Sequence, residues 1–433
     1  MNASIIDMTK MGNIETIAVI GLGYVGLPLA LAFNEKYSVI GYDVDSNRID
    51  ELQIGIDKNN ELNSEQLVSL KSLELTSSAA HLLNIDCFIV TVPTPVNTNN
   101  SPDLTLLLSA TKLIGNILQK GNFVIYESTV FPGATEDICV PVLEKESGLI
   151  YNKDFFCGYS PERINPGDVN NTLKNIVKVV SGSNGDALNV IADLYCKVVD
   201  AGVHRAPSIK VAEAAKVIEN TQRDINVALM NELSIIFDKL ELNTWEVIEA
   251  AKTKWNFLPF EPGLVGGHCI GIDPYYLLHC AQTHGYHPEM IISGRRINDG
   301  MASYVATSLL KLLHSKEINS NNAKVLIMGV TFKENCSDIR NSQVIKMVDE
   351  LKNYGCLIDI FDPRADQREL KISTGLTLCK KPQLGDYDAI VIAVKHREFL
   401  SMTHQQIRSF GKPACVIYDL KNMLEPGWAN KTL

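Results

Sequence analysis

The chain has 433 residues and the composition of an ordinary soluble globular protein, with 45% hydrophobic and 21% charged residues, so we expect two or three domains. Its net charge of −10 argues against nucleic acid or an anionic membrane surface as the main partner, so an anionic substrate would require a local basic pocket. No apolar run reaches the roughly 20 residues of a membrane span, and residues 1–13 lack a basic-then-apolar signal pattern, so we expect a cytoplasmic protein.

The first predicted elements form a βαβ unit. An apolar strand, Thr16–Ile20, ends at the turn Gly-Leu-Gly-Tyr-Val-Gly of residues 21–26, an apolar helix follows, and a second strand, Tyr37–Tyr42, ends at Asp43. In this arrangement the glycine turn and the helix N-terminus bind the pyrophosphate of a dinucleotide, and the acid accepts hydrogen bonds from the adenosine ribose. Because an acid disfavours a 2′-phosphate, the sequence predicts NAD rather than NADP. Arg48, five residues after Asp43, leaves NADP as the alternative.

Three more predicted strands end in polar residues. They are Asp86–Val92, ending at Pro93-Thr94-Pro95, Phe123–Tyr126, ending at Glu127-Ser128-Thr129, and Phe155–Tyr159, ending at Ser160-Pro161-Glu162-Arg163. Ligands gather outside the carboxyl ends of strands in open α/β sheets, so each end is a candidate to face the cofactor. Thr129 can hydrogen-bond to the nicotinamide side or a relay water, or cap a turn. Glu162 is suited to act as a general acid or base when water attacks a thioester. The alternative is a carboxylate that only stabilises a turn.

A long helix is predicted next, because no Gly or Pro occurs from Ile209 to Leu242. It would reach roughly 50 Å and is expected to connect domains or build a subunit interface. Glu213, Lys216, Asn220 and Arg223 share one face of it. A solvated charged face is the usual explanation of such a stripe. However, Asn220 is a poor helix former, and a lysine near a substrate hydroxyl can stabilise an alkoxide or act as a base.

Residues 263–273 read Gly-Leu-Val-Gly-Gly-His-Cys-Ile-Gly-Ile-Asp. Gly266 and Gly267 let the backbone approach a ligand, and Asp273 with Pro274 predicts a helix start, whose positive end favours a thiolate at Cys269. A thiolate beside a hydride acceptor can hold an aldehyde covalently so that it is oxidised again to a carboxylate. Asp273 either caps the helix or holds water or lysine.

The 10 cysteines include no Cys-x-x-Cys pair, so neither a disulfide framework nor a metal site is indicated. Cysteine is often buried and unreactive, so the alternative for Cys269 is an inert core thiol.

From Lys324 the opening pattern returns. A strand, Lys324–Met328, ends at Gly329, a helix covers Val344–Leu351, and a strand, Leu357–Phe361, ends at Asp362. The apolar runs at 387–394 and 416–419 are similar in sequence to those at 85–92 and 124–127. Gly-Val-Thr-Phe-Lys at 329–333 replaces the glycine fingerprint, which indicates a different nucleotide, with Lys333 as phosphate or hydroxyl partner. The pattern predicts an α/β fold of two Rossmann-like doubly wound domains joined by a long central helix and a helical middle domain.

Four motifs together resemble the UDP-sugar 6-dehydrogenase family, which comprises the UDP-glucose and UDP-N-acetylhexosamine dehydrogenases. They are Glu-Ser-Thr-Val-Phe-Pro-Gly at 127–133, Ala-Glu-Ala-Ala-Lys-Val-Ile-Glu-Asn at 212–220, Gly-Gly-His-Cys-Ile-Gly-Ile-Asp-Pro at 266–274 and Phe-Lys-Glu-Asn-Cys-Ser-Asp-Ile-Arg at 332–340. The match runs from the fingerprint to Asp419. The resemblance implies a four-electron oxidation of a sugar C6 hydroxymethyl to a uronate, using NAD twice, through a thiohemiacetal and a thioester on Cys269.

The resemblance also implies a role for each candidate residue. Lys216 and Asn220 would stabilise oxyanions or position water, Asp273 would support Lys216, and Glu162 and Thr129 would serve proton relay and hydrolysis. The residues assigned to NAD are Gly21, Gly23, Tyr24, Val25, Gly26, Asp43, Arg48, Thr94, Thr129 and Arg340. Those assigned to the UDP-sugar are Arg163, Ile164, Lys216, Asn220, Arg223, Gly266, Phe332 and Lys333. On this basis we expect residues 1–206 to bind NAD, 207–318 to form a helical connector and dimerisation domain with the catalytic Lys and Cys, and 319–433 to bind the UDP-sugar.

One stretch separates the branches of the family. In the UDP-glucose branch an aromatic residue follows Pro-Glu and a second Glu stands four residues after the first, whereas Arg163 and Pro166 fill those places here. With residues 254–257 and 294–299, this resembles the N-acetylhexosamine branch. The expected substrate is therefore UDP-GlcNAc or UDP-GalNAc, and the product a precursor of acidic surface polysaccharide.

Several alternatives stand beside this interpretation. Within the family, they are UDP-glucose and UDP-N-acetylmannosamine as substrates. Outside it, they are a two-electron hydroxyacid dehydrogenase, which would have no use for Cys269, and a catalytically silent NAD or nucleotide sensor. The resemblance and the long helix also predict a homodimer or a higher homo-oligomer.

Overall fold

In a computed structural model of the protein, the described residues are 14–58, 62, 64–164, 172–267 and 270–433. The chain divides into two compact units, Met1–Glu219 with Tyr275–Gly285, and Asn220–Pro274 with Tyr286–Leu433. The division into three functional segments stays a prediction.

The first unit is built on one sheet. Its strands are β1 (Thr16–Ile20), β2 (Ser38–Tyr42), β3 (Glu74–Thr76), β4 (Cys87–Val90), β5 (Phe123–Tyr126), β6 (Phe156–Tyr159), β7 (Lys178–Gly182) and β8 (Val203–Arg205). They lie in the order β3-β2-β1-β4-β5-β6-β7-β8, and every neighbouring pair is parallel except β6 with β7. The strand order reverses between β1 and β4, which is where doubly wound sheets bind their ligands.

Helices cover both faces of this sheet. They are α1 (Gly26–Asn34), α2 (Ser46–Gln53), α3 (Ser64–Ser69), α4 (Thr105–Gly115), α5 (Val140–Ser147, continuing a π-helical turn at Thr135–Cys139) and α6 (Gly185–Cys196), with short 3-10 turns at Leu70–Ser72 and Ala79–Leu82. Along β1, Ile17 and Val19 enter one buried cluster and Ala18 and Ile20 the other. A strand buried on both faces reads as a continuous apolar run, which is why the sequence identified it.

The long central helix, α7 (Ile209–Lys239), has 31 residues and is therefore about 46 Å long. It ends three residues before the predicted Leu242, and Glu241 beyond it adopts a left-handed φ of 57°. The helices that follow are α8 (Thr244–Lys252), α9 (Asp273–Thr283) and α10 (Glu289–Ser315). The boundary between the two units falls within α7, after Glu219.

The second unit carries the repeated pattern. Its strands are β9 (Lys324–Met328), β10 (Leu357–Phe361), β11 (Tyr387–Ile392), β12 (Gly411–Asp419) and β13 (Lys431–Thr432), in the order β10-β9-β11-β12-β13, and all pairs are parallel. Its remaining helices are α11 (Gln343–Asn353), α12 (Gln367–Thr374), α13 (Arg397–Leu400) and α14 (His404–Arg408). Val325 and Ile327 enter one buried cluster, and Leu326 and Met328 the other.

The predicted fold class, two Rossmann-like sheets with a helical middle, is thus confirmed. Strands β3, β7, β8 and β13 were not predicted. Three of them have only two or three residues, and the apolar run that contains β7 is interrupted by Lys178. Within the described part of the chain, no helix combines the length and the apolar character that crossing a membrane requires.

Candidate functional site

The glycine turn after β1 has the backbone shape that its sequence predicts. Gly21 has a φ of 98°, which disfavours any residue with a side chain. At Gly26 a side chain would collide with the Gly21 carbonyl oxygen and the Thr91 hydroxyl, whereas at Gly23 the space is open. The turn therefore presents an open backbone at the N-terminus of α1, where a pyrophosphate would bind.

Asp43 stands at the end of β2 and is only partly buried. Its Oδ2 accepts a hydrogen bond from Leu22 N (2.7 Å) and its Oδ1 from Asp45 N (3.0 Å), so the carboxylate is held beside the glycine turn. Arg48 donates to the Leu22 carbonyl (3.1 Å) and pairs with Asp57 (2.8 Å). Because Asp57 already balances the guanidinium charge, Arg48 clamps the turn and is less available to a 2′-phosphate. These residues fit a dinucleotide and favour NAD.

The loops after β4 and β5 are joined at the same sheet edge. Thr94 Oγ1 donates to the Thr129 carbonyl (2.7 Å), and Ser128 Oγ donates to the Val92 carbonyl (2.6 Å). Tyr276 of α9 adds a hydrogen bond to the Thr94 carbonyl (2.9 Å). The structure therefore brings Thr94 and Thr129 together, as expected of residues that face one ligand.

Glu213 attaches the loop after β5 to the central helix. Its carboxylate accepts from Gly133 N (2.6 Å) and Thr135 N (2.9 Å), and the residue is fully buried. Burial raises the pKa of Glu213 to about 7, although the hydrogen bonds from Thr135 and Gly133 lower it. Glu213, which the sequence placed on the polar face of the helix, therefore fixes the loop that contains Thr129.

Replacing Glu213 with glutamine is expected to reduce the pH dependence of stability. Folding raises the pKa of Glu213 from 4.5 to about 7, so the folded protein is favoured when this carboxyl is protonated. The contribution of Glu213 to folding stability is therefore fully present below pH 4.5 and is lost as pH rises through 7. The loss corresponds to about 3 kcal/mol in the free energy of unfolding. Urea unfolding midpoints at pH 5 and pH 8 measure it. The midpoint of Glu213→Gln should fall less than that of the wild type, and Asp137→Asn, an exposed control, should behave as the wild type. Equal falls would contradict the assignment.

Lys216, three residues further along α7, is 7% exposed. Its Nζ donates to the main-chain carbonyl of Glu162 (2.8 Å). A neutral carbonyl leaves the ammonium its full charge and its other N–H bonds, which suits it to stabilise an oxyanion. Lys216 is therefore joined to the Pro-Glu loop through the backbone of Glu162, a contact that the sequence did not predict.

The carboxylate of Glu162 is turned into the protein. Its Oε1 accepts from Arg163 N and Ile164 N, both at 2.6 Å, and its Oε2 lies 3.2 Å from Lys178 Nζ. Burial alone would raise the pKa of Glu162, but Lys178 and the two N–H groups outweigh it and hold the pKa below its usual range. This geometry suits a permanently ionised group that shapes the loop better than one that exchanges protons.

Arg163, expected to contact the UDP-sugar, is held by its own unit. It pairs with Glu219 of α7 (2.7 Å) and donates to the Val177 carbonyl (2.8 Å). Ile164 is half-buried, and Arg223 is exposed on α7.

In the second unit, Asn220 and Asp273 come together. Asn220 Nδ2 donates to Asp273 Oδ2 (2.5 Å), and Asp273, the first residue of α9, is buried. Asn220 follows Lys216 by four residues in α7, so the two side chains share one face of the helix. The predicted polar face of α7 thus includes an amide that is bound by a buried carboxylate.

The glycine turn before Cys269 is anchored at its start. Asn231 of α7 exchanges two hydrogen bonds with Gly263 (2.8 and 3.0 Å) and also donates to Asn298 of α10 (2.8 Å). Asn298 and Arg295 in turn bind the buried carboxylate of Asp224 (2.8 and 2.6 Å). The branch-specific stretch 294–299 therefore supports this turn. Cys269 itself, with His268, lies outside the described residues.

Both glycines of the turn are required by packing. A side chain on Gly266 would lie 2.7 Å from the Asn341 carbonyl oxygen. One on Gly267, whose φ is 84°, would lie 2.7 Å from the ring of Phe332. The structure therefore brings Gly266 and Phe332, two predicted substrate residues, into one place. Lys333 Nζ stands over the Phe332 ring (5.4 Å), and Arg340 binds Asp338 through two donors (2.9 and 2.6 Å).

The second sheet repeats the geometry of the first with one difference. Asp362 Oδ2 accepts from Val330 N (2.7 Å), as Asp43 does from Leu22 N, and Gly329 has a φ of 91°. Here, however, His396 lies 3.2 Å from Asp362 in a fully buried pair. Burial alone would raise the pKa of Asp362, but His396 and backbone N–H groups lower it to about 2. Asp362 therefore holds the fold together and is closed to a ribose.

Sequence reasoning did not identify Lys178, Tyr195, Asn231 or His396. Lys178 opens a strand of only five residues, and the other three lie in stretches without a motif. A lysine next to an apolar run was the available signal for Lys178, and it is a weak one.

Comparison with known proteins shows which family has this arrangement of domains. Three models of the UDP-glucose/GDP-mannose dehydrogenase family match consecutive parts of the chain: the NAD binding domain at residues 15–199, the central domain at 210–300 and the UDP binding domain at 326–426. A relative from Pseudomonas aeruginosa named UDP-N-acetyl-D-glucosamine 6-dehydrogenase is 53% identical over 94% of this chain and 97% of its own. One of the same name from Salmonella typhi is 52% identical over 94% of this chain and 96% of its own.

A solved structure, the UDP-D-ManNAc dehydrogenase from Pyrococcus horikoshii, superposes with a TM-score of 0.87 at 31% identity, covering 96% of this chain and 98% of that one. The doubly wound sheet with its NAD turn, the central helix and the second, modified sheet all have counterparts in these matches. The chain belongs to the UDP-glucose/GDP-mannose dehydrogenase family and is an NAD-dependent enzyme.

Proposed function

We propose that the protein oxidises the C6 hydroxymethyl group of UDP-N-acetylglucosamine to the carboxylate, with two equivalents of NAD. The observation that carries this choice of substrate is identity of 53% and 52%, over 94% of the chain, to two relatives named for UDP-N-acetyl-D-glucosamine. The structure named for UDP-D-ManNAc shares 31%. UDP-GalNAc, the epimer that the sequence left open, is therefore the second candidate.

In the balanced reaction, one alcohol, two NAD⁺ and one water give one carboxylate, two NADH and three protons. Bound NAD supplies the acceptor for the hydride that leaves C6 in each oxidation. Lys216 stabilises the C6 oxyanion, because its ammonium is buried and its only bond given by the described structure is to the neutral Glu162 carbonyl. Asn220, oriented by Asp273, supplies a second donor from the same face of α7.

The second oxidation requires a covalent intermediate. The Cys269 thiolate adds to the aldehyde carbon to form a thiohemiacetal, loss of the second hydride gives a thioester, and water releases the uronate and the thiolate. Thr129, in the loop that Glu213 fixes, serves the proton relay. The hydrogen bonds of the Glu162 carboxylate support a role in positioning the loop. Its acid–base role stays a prediction.

We also propose that the protein assembles as a homodimer or larger through α7. Ile218, Leu229 and Ile236 are exposed, and their spacings of 11 and 7 residues place them on one side of the helix. Light scattering at assay concentration tests this, and a monomer would refute it. A cytoplasmic location stays a prediction.

The proposed function is tested by counting NADH formed per sugar consumed with UDP-GlcNAc, UDP-GalNAc and UDP-glucose. We expect about two NADH per UDP-GlcNAc, and slower turnover of the other two sugars. A ratio near one would exclude the thioester route. No NADH with any of the three would favour the silent sensor.

A further inference from the structure

A buried ion cluster lies beneath the loop that holds Lys216, and the steps above do not use it. Lys178, the first residue of β7, is 2% exposed, and its Nζ lies 2.6 Å from Glu127 Oε2 and 3.2 Å from Glu162 Oε2. Tyr195 of α6 donates to the other oxygen of Glu127, and Lys178 Nζ stands 5.8 Å from the centre of its ring. Four polar side chains thus meet in the core of the first unit.

Such a cluster is not explained by stability. Moving ionised groups out of water carries a large desolvation cost, and well-packed apolar side chains commonly replace buried ion pairs without loss of stability. The cluster sits where the loop after β6 leaves the sheet, and Glu162 belongs to both. This location indicates a role in placing that loop.

The bonds of Glu162 run in two directions. Its carboxylate is fixed by Lys178 and by the N–H groups of Arg163 and Ile164, while its main-chain carbonyl accepts from Lys216 Nζ (2.8 Å). A change in the carboxylate position therefore moves the peptide that holds the ammonium. We propose that Lys178 is a positioning residue for the oxidation, which through Glu162 sets where the Lys216 ammonium stands. This inference rests on the role proposed above for Lys216.

The pKa shifts within the cluster agree with a structural role for Lys178 and Glu162. Burial raises the pKa of Glu127 to about 7 even though Lys178 lowers it, and Glu162 raises it further. Burial alone would lower the pKa of Lys178, but Glu127 and Glu162 outweigh burial and raise it. The pKa of Glu162 is thus held below its usual range beside Lys178, whereas the pKa of Glu127, which accepts a hydrogen bond from Tyr195, is raised by burial.

The test is Lys178→Met, assayed with UDP-GlcNAc and with its C6-dideuterated form. We expect kcat to fall by roughly 10- to 100-fold, because displacing a catalytic group by about an ångström costs up to 10²-fold, while KM changes by less than about threefold. The deuterium isotope effect on kcat should rise, since hydride transfer becomes the slow step. A loss of folded protein alone would lower the rate without changing the isotope effect. Lys178→Arg should recover most of the rate. Lys120→Met, a control at an exposed lysine that pairs with Asp154, should match the wild type.

A second variant covers the case in which Lys178→Met does not fold. Glu127→Gln with Lys178→Met removes the carboxylate left without a cation, which should restore folding, but Glu162 still lacks its partner. Its kcat should remain low and its isotope effect high. Wild-type turnover in either variant, or a slow turnover with an unchanged isotope effect, would overturn the positioning role. A wild-type enzyme that forms no NADH with any UDP-sugar would instead overturn the proposed function, and this inference with it.

Discussion

Lys216→Met is expected to lower kcat by about 10³-fold, within the 10²- to 10⁴-fold range of positioned acid–base and oxyanion groups. Methionine has a similar length and tolerates the buried site, so the loss reports the charge. The KM for the UDP-sugar should change little, because an interaction that forms chiefly in the transition state leaves ground-state binding intact.

The initial rate of NADH formation at saturating substrate measures this loss. Lys210→Met is the matched control, since Lys210 lies on the same helix in an exposed pair with Asp137 (3.1 Å). Retention of more than about a tenth of wild-type kcat by Lys216→Met would remove Lys216 from the chemistry.

Cys269→Ser is expected to reduce steady NADH formation by about 10⁴-fold, because a serine hydroxyl is far less ionised than a thiol and the covalent route is closed. Any residual oxidation should stop at the aldehyde and yield one NADH per sugar. Mass spectrometry of the wild type mixed with substrate should show an adduct at Cys269 that the variant lacks.

Cys280→Ser provides the comparison. Burial and Glu213 raise the pKa of Cys280 despite Lys210, so this half-buried thiol is not expected to act as a nucleophile. Normal activity of Cys269→Ser would indicate the two-electron hydroxyacid dehydrogenase that the sequence left open.

The strands of both sheets show which elements a sequence can reveal. The bounds of β1, β5, β9 and β10 agree with the prediction residue for residue, because each is an apolar run that ends at a glycine or a polar residue. By contrast, β13 has only two residues, and Lys178 interrupts the apolar run that contains β7, so the sequence did not identify either strand.

The candidate site divides in the same way. Turns with local requirements were predictable: Gly21 and Gly267 adopt positive φ, and Asp43 lies where the βαβ pattern places it. The direction of the Glu162 carboxylate was not predictable, because it depends on Lys178, 16 positions away on a strand that runs antiparallel to its neighbour.

By itself, the sequence determined the two Rossmann-like domains, the dinucleotide turn with its acid, the polar face of α7 and the motifs that identify the family. These are local features, encoded by residue types within a few turns or strand lengths. Only the tertiary structure decided that Glu213 reaches Gly133 across 80 positions and that Lys178 reaches Glu127 across 51. Such contacts follow from sheet order and helix packing, which bury charges together that no local pattern places side by side.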